Sequence, residues 1–330
     1  MKALVYTAPE TLAYRDVADP VAADGEVMVR VDSVGICGSD LHAFLGHDER
    51  RPAPLILGHE VSGTLTSGPN SGQRVTVNPL VTCGHCKACV SGRDNLCPDR
   101  QIISMQPREG GFAEQLAMPE RNLVALPDTI STDKAALAEP IACGWHAVRL
   151  GKALIVNPSQ ANALVMGGGA IGLGAALSLK AQGISDILIV EPNAERRTYL
   201  NEQCGQNSIA PDQLSATQMF DIIVDGVGIE ASRSQASAHA KPGGVIVHIG
   251  LGSAAGGLDI RRMTLQEITF IGTYTYTAQD FRDTTQAMFE GRLGTLDWTD
   301  NWPLEDGQAA FQAIRAGTVP APKILLKPDH

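Results

Sequence analysis

Residues 163–172 read Ala-Leu-Val-Met-Gly-Gly-Gly-Ala-Ile-Gly and decide the fold. The first four residues are a short apolar run typical of a buried strand, and the chain from Ala170 to Gln182 predicts a helix. Gly167, Gly169 and Gly172 fit the pattern G-x-G-x-x-G between the two. Such a turn lets the backbone approach a pyrophosphate, which the free N–H groups of the helix N-terminus stabilise. The stretch therefore predicts a dinucleotide-binding unit rather than a glycine-rich turn without a ligand.

A carboxylate follows the glycine turn at the spacing that ribose recognition requires. The second strand, Asp186 to Val190, leads into Glu191, about 20 residues after the last glycine. Glu191 can accept hydrogen bonds from the ribose hydroxyls of NAD and would repel a 2′-phosphate. A nearby arginine can accommodate NADP, and Arg196 and Arg197 keep that alternative open. The carboxylate at the strand end favours NAD.

The hydrophobic pattern divides the chain into two parts. Before Ser131, short strand-like runs are punctuated by Gly and Pro, which predicts a small barrel or sandwich. A helix is expected from Ala135 to Leu150, and between Ala163 and Gly272 strands alternate with helices, which predicts a parallel, doubly wound sheet. Two further helices and a terminal strand, Lys323 to Leu326, end the chain.

The composition is that of an ordinary globular protein. The chain has 330 residues, of which 44% are hydrophobic, and a formal net charge of −10. This charge argues against general affinity for nucleic acid or for an anionic membrane surface. No apolar run reaches the ~18 residues of a membrane span, and no cleavable signal is recognisable. We expect a cytoplasmic protein without a nucleic-acid or membrane partner.

Four of the seven cysteines are crowded together at Cys83, Cys86, Cys89 and Cys97. Four thiolates around one ion form the closed tetrahedral shell of a structural zinc site. A disulfide pair and an iron–sulfur cluster are the alternatives. The expected compartment disfavours disulfides, and the spacing differs from that of ferredoxin cysteines. We predict a structural zinc lobe at about residues 80–100.

A second group of possible metal ligands lies in residues 34–60. A thiol, imidazoles and a carboxylate are the side chains that hold zinc in sites with an open position, and here they occur beside a hydroxyl. The hypothesis is a zinc site that is open to an alcohol. The residues concerned are Cys37, Ser39, His42, His59 and Glu60.

Several motifs occur along most of the chain in one order. They are Gly35-Ile36-Cys37-Gly38-Ser39-Asp40-Leu41-His42, Gly58-His59-Glu60, the four-cysteine lobe, Gly110-Gly111-Phe112-Ala113-Glu114, Ala138-Glu139-Pro140 and the glycine turn. Through them the sequence resembles the zinc-dependent medium-chain dehydrogenase/reductase superfamily, and polyol (sorbitol-type) dehydrogenases more than ethanol-type enzymes. The resemblance implies an α/β protein with two domains. A GroES-like β-barrel catalytic domain would comprise residues 1–147 and 275–330, and a doubly wound Rossmann domain residues 148–274.

The resemblance also implies roles for residues of the catalytic site. Cys37 and His59 would be ligands of the catalytic zinc. The third protein ligand would be Glu139, the polyol-type choice, or Glu60, which is a ligand in some relatives. Ser39 would hydrogen-bond the alcohol, and His42 would pass its proton towards solvent.

Two zinc ions per chain and NAD are the expected cofactors, and a homodimer or homotetramer is the expected assembly. By the resemblance, Arg196 would lie near the adenosine ribose, Val227, Gly250 and Leu251 would line the nicotinamide, and Lys323 would approach the pyrophosphate. The expected cofactor-binding residues are Gly167, Gly169, Ala170, Ile171, Gly172, Glu191, Arg196, Val227, Gly250, Leu251, Tyr274 and Lys323.

The expected function is reversible, zinc-dependent oxidation of a polyol or secondary alcohol to a ketone, with hydride transfer to NAD. A zinc-dependent threonine or vicinal-diol dehydrogenase is the alternative within enzymes, and a non-catalytic cofactor-binding protein on the same scaffold is the alternative outside them. Thr275-Tyr276 replaces the arginine–tyrosine pair of sorbitol-type enzymes, so the sequence does not specify the polyol.

Overall fold

The computed structural model describes residues 1–329, and these form two compact units. The first unit comprises Met1–Glu139, Thr277–Phe289 and the chain from Thr299 onward. The second unit comprises Pro140–Tyr276 and Glu290–Trp298. The first boundary was expected between residues 147 and 148, and the structure places it after Glu139. The chain also returns to the second unit at Glu290–Trp298.

The part of the chain before residue 162 contains ten short strands and four α-helices. They are β1 (Lys2–Ala8), β2 (Thr11–Asp16), β3 (Glu26–Gly35), α1 (Gly38–Phe44), β4 (Leu55–Ile56), β5 (Glu60–Leu65), β6 (Arg74–Val77), β7 (Leu80–Val81), α2 (Lys87–Val90), β8 (Gln101–Ile102), β9 (Gln115–Pro119), β10 (Leu123–Ala125), α3 (Thr132–Ala136) and α4 (Ala138–Lys152).

Strands and helices then alternate up to residue 272. The elements are β11 (Asn162–Met166), α5 (Ala170–Ala181), β12 (Asp186–Val190), α6 (Ala194–Glu202), β13 (Ser208–Ile209), β14 (Phe220–Asp225), α7 (Glu230–His239), β15 (Ala240–His248), α8 (Ile260–Leu265) and β16 (Thr269–Gly272). The remaining elements are α9 (Ala278–Phe289), β17 (Thr299–Pro303), α10 (Gly307–Ala316) and β18 (Lys323–Lys327).

The second unit is built on a parallel sheet of six strands in the order β13-β12-β11-β14-β15-β16. When the six strands are numbered 1 to 6 in chain order, their order in the sheet is 3-2-1-4-5-6, which is the order of dinucleotide-binding folds. Ligands of such sheets bind where the strand order reverses, beyond the carboxyl end of the first strand. That strand is β11, which leads directly into the glycine turn.

The first unit has a seven-stranded sheet in the order β10-β6-β5-β3-β18-β17, to which β9 adds by pairing with β3. Strand β18, from the C-terminus, pairs antiparallel with β3 through Leu325↔Gly35 and Leu326↔Val34. A three-stranded sheet, β2-β1-β4, and the pair β7-β8 complete this unit. The C-terminal strand therefore lies beside the strand that leads to Cys37.

The predicted α/β class and the alternation of strands and helices are confirmed, with local differences. The helix expected from Ala135 is two helices, α3 and α4, because Pro140 has no amide hydrogen to donate to the carbonyl of Ala136. Strand β17 was not predicted, since its sequence, Thr-Asp-Asn-Trp-Pro, is polar and ends in proline. It forms at a sheet edge by parallel pairing with β18, where such residues are tolerated. None of the described helices is both long and apolar enough to cross a membrane.

Helices α4 and α5 pack closely where glycine removes the side chain from the contact. A Cβ atom on Gly144 would lie 2.5 Å from the backbone nitrogen of Ala175, and one on Gly174 would lie 3.1 Å from the Cα atom of Ile141. The first distance is shorter than any normal contact, and its partner is backbone that cannot rotate away. This crossing therefore requires glycine at position 144.

We predict that Gly144→Ala destabilises the second unit by about 1–3 kcal/mol, because overpacking a helix contact forces backbone shifts. The measurement is chemical denaturation of the purified protein. Gly272→Ala is the matched control, since a Cβ atom there meets nothing within 4 Å. Equal stability of the two variants would contradict the close crossing.

Candidate active site

The four cysteines of the lobe lie together around helix α2. Their Sγ atoms are separated by 3.9 Å for Cys83–Cys89, 3.5 Å for Cys86–Cys89 and 3.5 Å for Cys83–Cys97. A disulfide needs about 2.05 Å, whereas thiolates about 2.3 Å from one zinc ion are about 3.8 Å apart. Backbone N–H groups of His85 and Cys86 lower the pKa of Cys83 to about 6, which favours the thiolate. The lobe therefore fits one tetrahedral metal ion.

A second donor group lies in the first unit. The ligand atoms of Cys37, His59 and Glu60 all lie within 4.8 Å of one another. Cys37 precedes α1, and His59 and Glu60 come just before and at the start of β5. Gly58 turns the chain into this position with φ +89°, and a Cβ atom there would lie 2.5 Å from the ring of Phe112. The turn therefore requires glycine immediately before His59.

Glu60 is the carboxylate that lies together with Cys37 and His59. Its side chain is 0% exposed. Oε1 accepts a hydrogen bond of 2.6 Å from Lys323 Nζ, whereas Oε2 has no hydrogen-bond partner among residues 1–329. A buried carboxylate oxygen without a partner is costly, and a cation held jointly with Cys37 and His59 would satisfy it. The thiolate, imidazole and carboxylate are the donors of an open zinc site, so these residues fit the expected ion.

Glu139 lies outside this group, since its carboxylate is not within 4.8 Å of all three donors. It is buried, in the first turn of α4. It is nevertheless close enough to contribute to the electrostatic environment of Lys323. Burial lowers the pKa of Lys323, but the negative charges of Glu60, Cys37 and Glu139 outweigh that effect and raise it. Direct metal contact by Glu139 stays a prediction.

Lys323 has partners that the sequence did not predict. Besides Glu60, its Nζ donates to the carbonyl of Ile36 at 2.8 Å, and the residue is 4% exposed. The ammonium group is thus held by the carbonyl of the residue after β3 and by the carboxylate of Glu60. Its predicted approach to a pyrophosphate stays a prediction.

Two side chains orient His59 through its Nδ1 atom. Asp40 Oδ1 and Ser104 Oγ each lie 3.5 Å from Nδ1, which leaves Nε2 to face a metal ion. Asp40 also accepts hydrogen bonds from the backbone N–H groups of Cys37, at 3.0 Å, and Gly58, at 3.3 Å. Support of this kind fixes the ring orientation of a metal ligand. The sequence analysis missed Asp40 and Ser104, although Asp40 lies inside one of the quoted motifs.

Electrostatic coupling within this group is strong. Burial lowers the pKa of His59, but the carboxylate of Asp40 and the thiol of Cys37 raise it well above its usual value. Burial raises the pKa of Asp40, but His59 and Arg51 outweigh burial and lower it. Asp40 is therefore ionised, and it is an effective acceptor for the Nδ1–H group of His59.

The structure places the two relay candidates on helix α1. Ser39 is half-buried in the first turn, and His42 is exposed in the last turn. The ring of His42 meets that of His47 edge-on, with centroids 6.4 Å apart. An exposed imidazole one turn beyond a half-buried hydroxyl suits transfer of a proton towards solvent, and the relay stays a prediction.

In the second unit, Glu191 is tied to the glycine turn. Its Oε2 accepts a hydrogen bond of 2.7 Å from the N–H of Gly168, and its Oε1 accepts one of 2.8 Å from the N–H of Asn193. Gly167 has φ +90°, and a Cβ atom there would lie 2.6 Å from Val227 Cγ2. The turn thus requires glycine, and it lies beside one of the predicted nicotinamide-lining residues.

The two arginines of α6 differ in their partners. Arg197 Nη1 donates to the carbonyls of Glu191, at 2.8 Å, and Pro192, at 2.7 Å. Arg196 Nη1 lies 3.8 Å from the position of a Cβ atom on Gly169. Burial lowers the pKa of Arg196, and Glu191 opposes that effect. The guanidinium of Arg196 therefore lies close to the glycine turn. Its place near the adenosine ribose stays a prediction.

Val227 and Gly250 are brought together by two loops. The N–H of Gly250 donates to the carbonyl of Asp225 at 3.1 Å, and a Cβ atom on Gly250 would overlap the backbone of Val227. Leu251, the next residue, is 76% exposed. Tyr274 is half-buried beyond the end of β16. Nicotinamide contacts by these residues stay predictions.

The sequence analysis missed two buried residues that hold these loops. Asp225 Oδ1 accepts from the N–H groups of Val227 and Gly228 at 3.0 and 2.9 Å. Arg233 donates to the carbonyls of Gly228, Ser253, Ala255 and Gly256. An acidic residue at the end of a buried strand was the available signal for Asp225, and nothing in the sequence distinguished Arg233.

We predict that Glu191→Ala raises the ratio of kcat/KM with NADP to kcat/KM with NAD by at least about tenfold, which corresponds to about 1.4 kcal/mol. The reason is that the variant removes both the ribose acceptor and the charge that repels a 2′-phosphate. Glu195→Ala is the control, since Glu195 is an exposed carboxylate in the first turn of α6, the helix that follows Glu191. An unchanged ratio in Glu191→Ala would mean that Glu191 does not read the ribose.

Comparison with known proteins assigns both units. Residues 23–128 match the family model for the alcohol dehydrogenase GroES-like domain, and residues 170–290 match that for zinc-binding dehydrogenase. L-galactonate-5-dehydrogenase of Escherichia coli is 32% identical over 308 residues, which cover 89% of this chain and 88% of that protein. Sorbitol dehydrogenase of Bacillus subtilis is 29% identical over 350 residues, which cover 100% and 98%.

A solved structure agrees with these relatives. The crystal structure of 2R,3R-butanediol dehydrogenase from Bacillus subtilis superposes with a TM-score of 0.85, at 28% identity, and covers 99% of each chain. The expected GroES-like and dinucleotide-binding folds are thereby confirmed, together with zinc as a cofactor. The chain belongs to the zinc-dependent medium-chain dehydrogenase family and resembles its polyol dehydrogenases.

Proposed function

We propose that this chain is an NAD-dependent dehydrogenase that reversibly oxidises a polyol or another secondary alcohol to a ketone. The observation that carries the proposal is the group formed by half-buried Cys37 and buried His59 and Glu60, in which one oxygen of Glu60 has no partner among the described residues. Relatives named for galactonate and sorbitol support a polyhydroxylated substrate. A threonine or vicinal-diol substrate remains the alternative to be tested.

The reaction removes a proton from the alcohol oxygen and a hydride from the carbinol carbon. Zinc held by Cys37, His59 and Glu60 would supply Lewis acidity that makes the alcohol easier to deprotonate, and bound NAD would be the hydride acceptor. Ser39 would hydrogen-bond the alcohol, and His42, exposed on the same helix, would pass the released proton to solvent.

Charge balance supports the same assignment. A thiolate at Cys37 and a carboxylate at Glu60 neutralise a dication, and the neutral imidazole of His59 adds none. Lys323 shares the carboxylate through Oε1 and so reduces the negative charge that Glu60 directs at the ion. The donor set can therefore keep zinc strongly electrophilic without leaving a large net charge buried.

The oligomeric state and the location are also part of the proposal. We propose a cytoplasmic homodimer or homotetramer, as in the family, and sedimentation equilibrium of the purified chain distinguishes the two assemblies.

We predict that the wild-type protein contains about two zinc ions per chain, and that Cys37→Ser and Cys97→Ser each lose a different one. Elemental analysis measures the metal content. Cys37→Ser should lose turnover but keep NADH binding, since the glycine turn and Glu191 are unaffected. Cys97→Ser should lose thermal stability, because the lobe no longer closes around its ion. One zinc per wild-type chain, retained in Cys37→Ser, would refute the catalytic assignment.

We further predict that a coupled screen over C4 to C6 polyols and sugar acids gives NAD-dependent turnover that a zinc chelator abolishes. The screen includes threonine and 2,3-butanediol as competitors. Turnover of threonine or of butanediol alone would select the alternative substrate class. Turnover that resists prolonged chelation would contradict a role for the metal.

A further inference from the structure

We propose that Arg51 is a positioning residue that fixes Ser39 and His59 relative to one another. The inference rests on the proposed function, because it assigns Ser39 to the alcohol and His59 to the catalytic metal. Arg51 precedes the short strand β4 and belongs to none of the motifs that the sequence analysis used.

The guanidinium of Arg51 connects three separate segments. Nε donates to the carbonyl of Ser104 at 3.0 Å. Nη1 donates to the carbonyl of Ser39 at 2.9 Å and contacts Asp48 Oδ2 at 3.3 Å. The residue is only 3% exposed, so these bonds form away from solvent. One planar cation thus links helix α1, the loop that follows it and the segment after the cysteine lobe.

Each of the two carbonyls belongs to a residue beside the site. Ser39 carries the hydroxyl of the relay, and Arg51 holds its backbone in the first turn of α1. Ser104 carries the hydroxyl that lies 3.5 Å from His59 Nδ1. Ser104 also has φ +68°, a conformation that a residue with a side chain keeps only when its surroundings impose it. The bond from Arg51 Nε to the Ser104 carbonyl is one such constraint.

Charge explains why a cation occupies this position. Burying a guanidinium is costly unless it is paired and its donors are satisfied. Asp48 supplies one carboxylate, and the fully buried Asp40, which holds the Cys37 amide and faces His59, is near enough to feel the charge of Arg51. Arginine suits three divergent acceptors because its donors form a rigid planar fork, whereas a lysine ammonium does not reproduce that geometry.

The test compares Arg51→Met with Arg51→Lys and with the neighbouring control Arg50→Met. Arg50 is 58% exposed on its side chain and also pairs with Asp48, so the control removes the same charge one residue away. Three quantities are measured on the zinc-loaded enzyme: kcat and KM for the alcohol, the dissociation constant of NADH, and the rate at which a chelator removes each zinc equivalent. The zinc of the cysteine lobe serves as an internal control.

For Arg51→Met we expect kcat to fall and release of the catalytic zinc to accelerate, each by about 10- to 100-fold, the range for residues that support a metal ligand. NADH binding and release of the lobe zinc should be unchanged. Arg51→Lys should fall between Arg51→Met and wild type, and Arg50→Met should behave as wild type. A folded Arg51→Met enzyme with wild-type kcat and zinc release, or an equal loss in Arg50→Met, would overturn the proposal.

A second variant keeps the proposal testable if Arg51→Met does not fold. Ser104→Ala removes only the hydroxyl beside His59 and should accelerate release of the catalytic zinc without changing NADH binding. Wild-type behaviour of both Ser104→Ala and Arg51→Lys would then overturn the proposal. Failure of the proposed function and failure of the role of Arg51 give different results. A wild-type enzyme without catalytic zinc would contradict the proposed function. An active, zinc-loaded wild type whose Arg51 and Ser104 variants behave as wild type would contradict only the role of Arg51.

Discussion

The catalytic part of the first unit depends on one buried carboxylate. Glu60 has no exposed surface, one oxygen bound to Lys323 and one oxygen without a partner among the described residues. Removing a carboxylate from water costs several kcal/mol even after relaxation, and only close opposite charge offsets that cost. Lys323 compensates the charge at Oε1, and the proposed metal ion shared with Cys37 and His59 would satisfy Oε2. The chain must therefore bring β18, 263 residues further on, back beside β3 and β5. This requirement explains why the C-terminal strand belongs to the first unit.

The second unit uses carboxylates in a related way. Glu191 at the end of β12 and Asp225 at the end of β14 each bind backbone N–H groups of the chain that follows the strand. Both strands flank β11, so the two carboxylates fix the loops on either side of the glycine turn. Glu191 also bonds the turn itself through Gly168. The residue that is predicted to read the ribose is thus the residue that holds the glycine turn, and in that role it would couple coenzyme choice to loop geometry.

Sequence reasoning succeeded where a local pattern determines local chemistry. The glycine turn, the cysteine lobe and the alternation of strands and helices all follow from spacing over a few residues, and the structure agrees with them. It did not decide between Glu60 and Glu139, because both lie next to a motif and only the direction of each side chain distinguishes them. It also could not pair Lys323 with Glu60 or Arg51 with Ser39 and Ser104. Such contacts depend on register between strands and on loop paths, and no periodicity in the sequence encodes them.

The donor set itself bears on the chemistry that the site can perform. A second thiolate in place of Glu60 would place more negative charge on the metal and weaken it as a Lewis acid. A carboxylate shared with Lys323 donates less charge, and its second oxygen can bind the ion while the first stays anchored. Oε2 is buried without a partner among the described residues, so a cation bound there would satisfy it while Lys323 keeps Oε1. The Lys323–Glu60 pair would then both support the metal and limit how much charge the metal receives, and this balance would favour deprotonation of an alcohol.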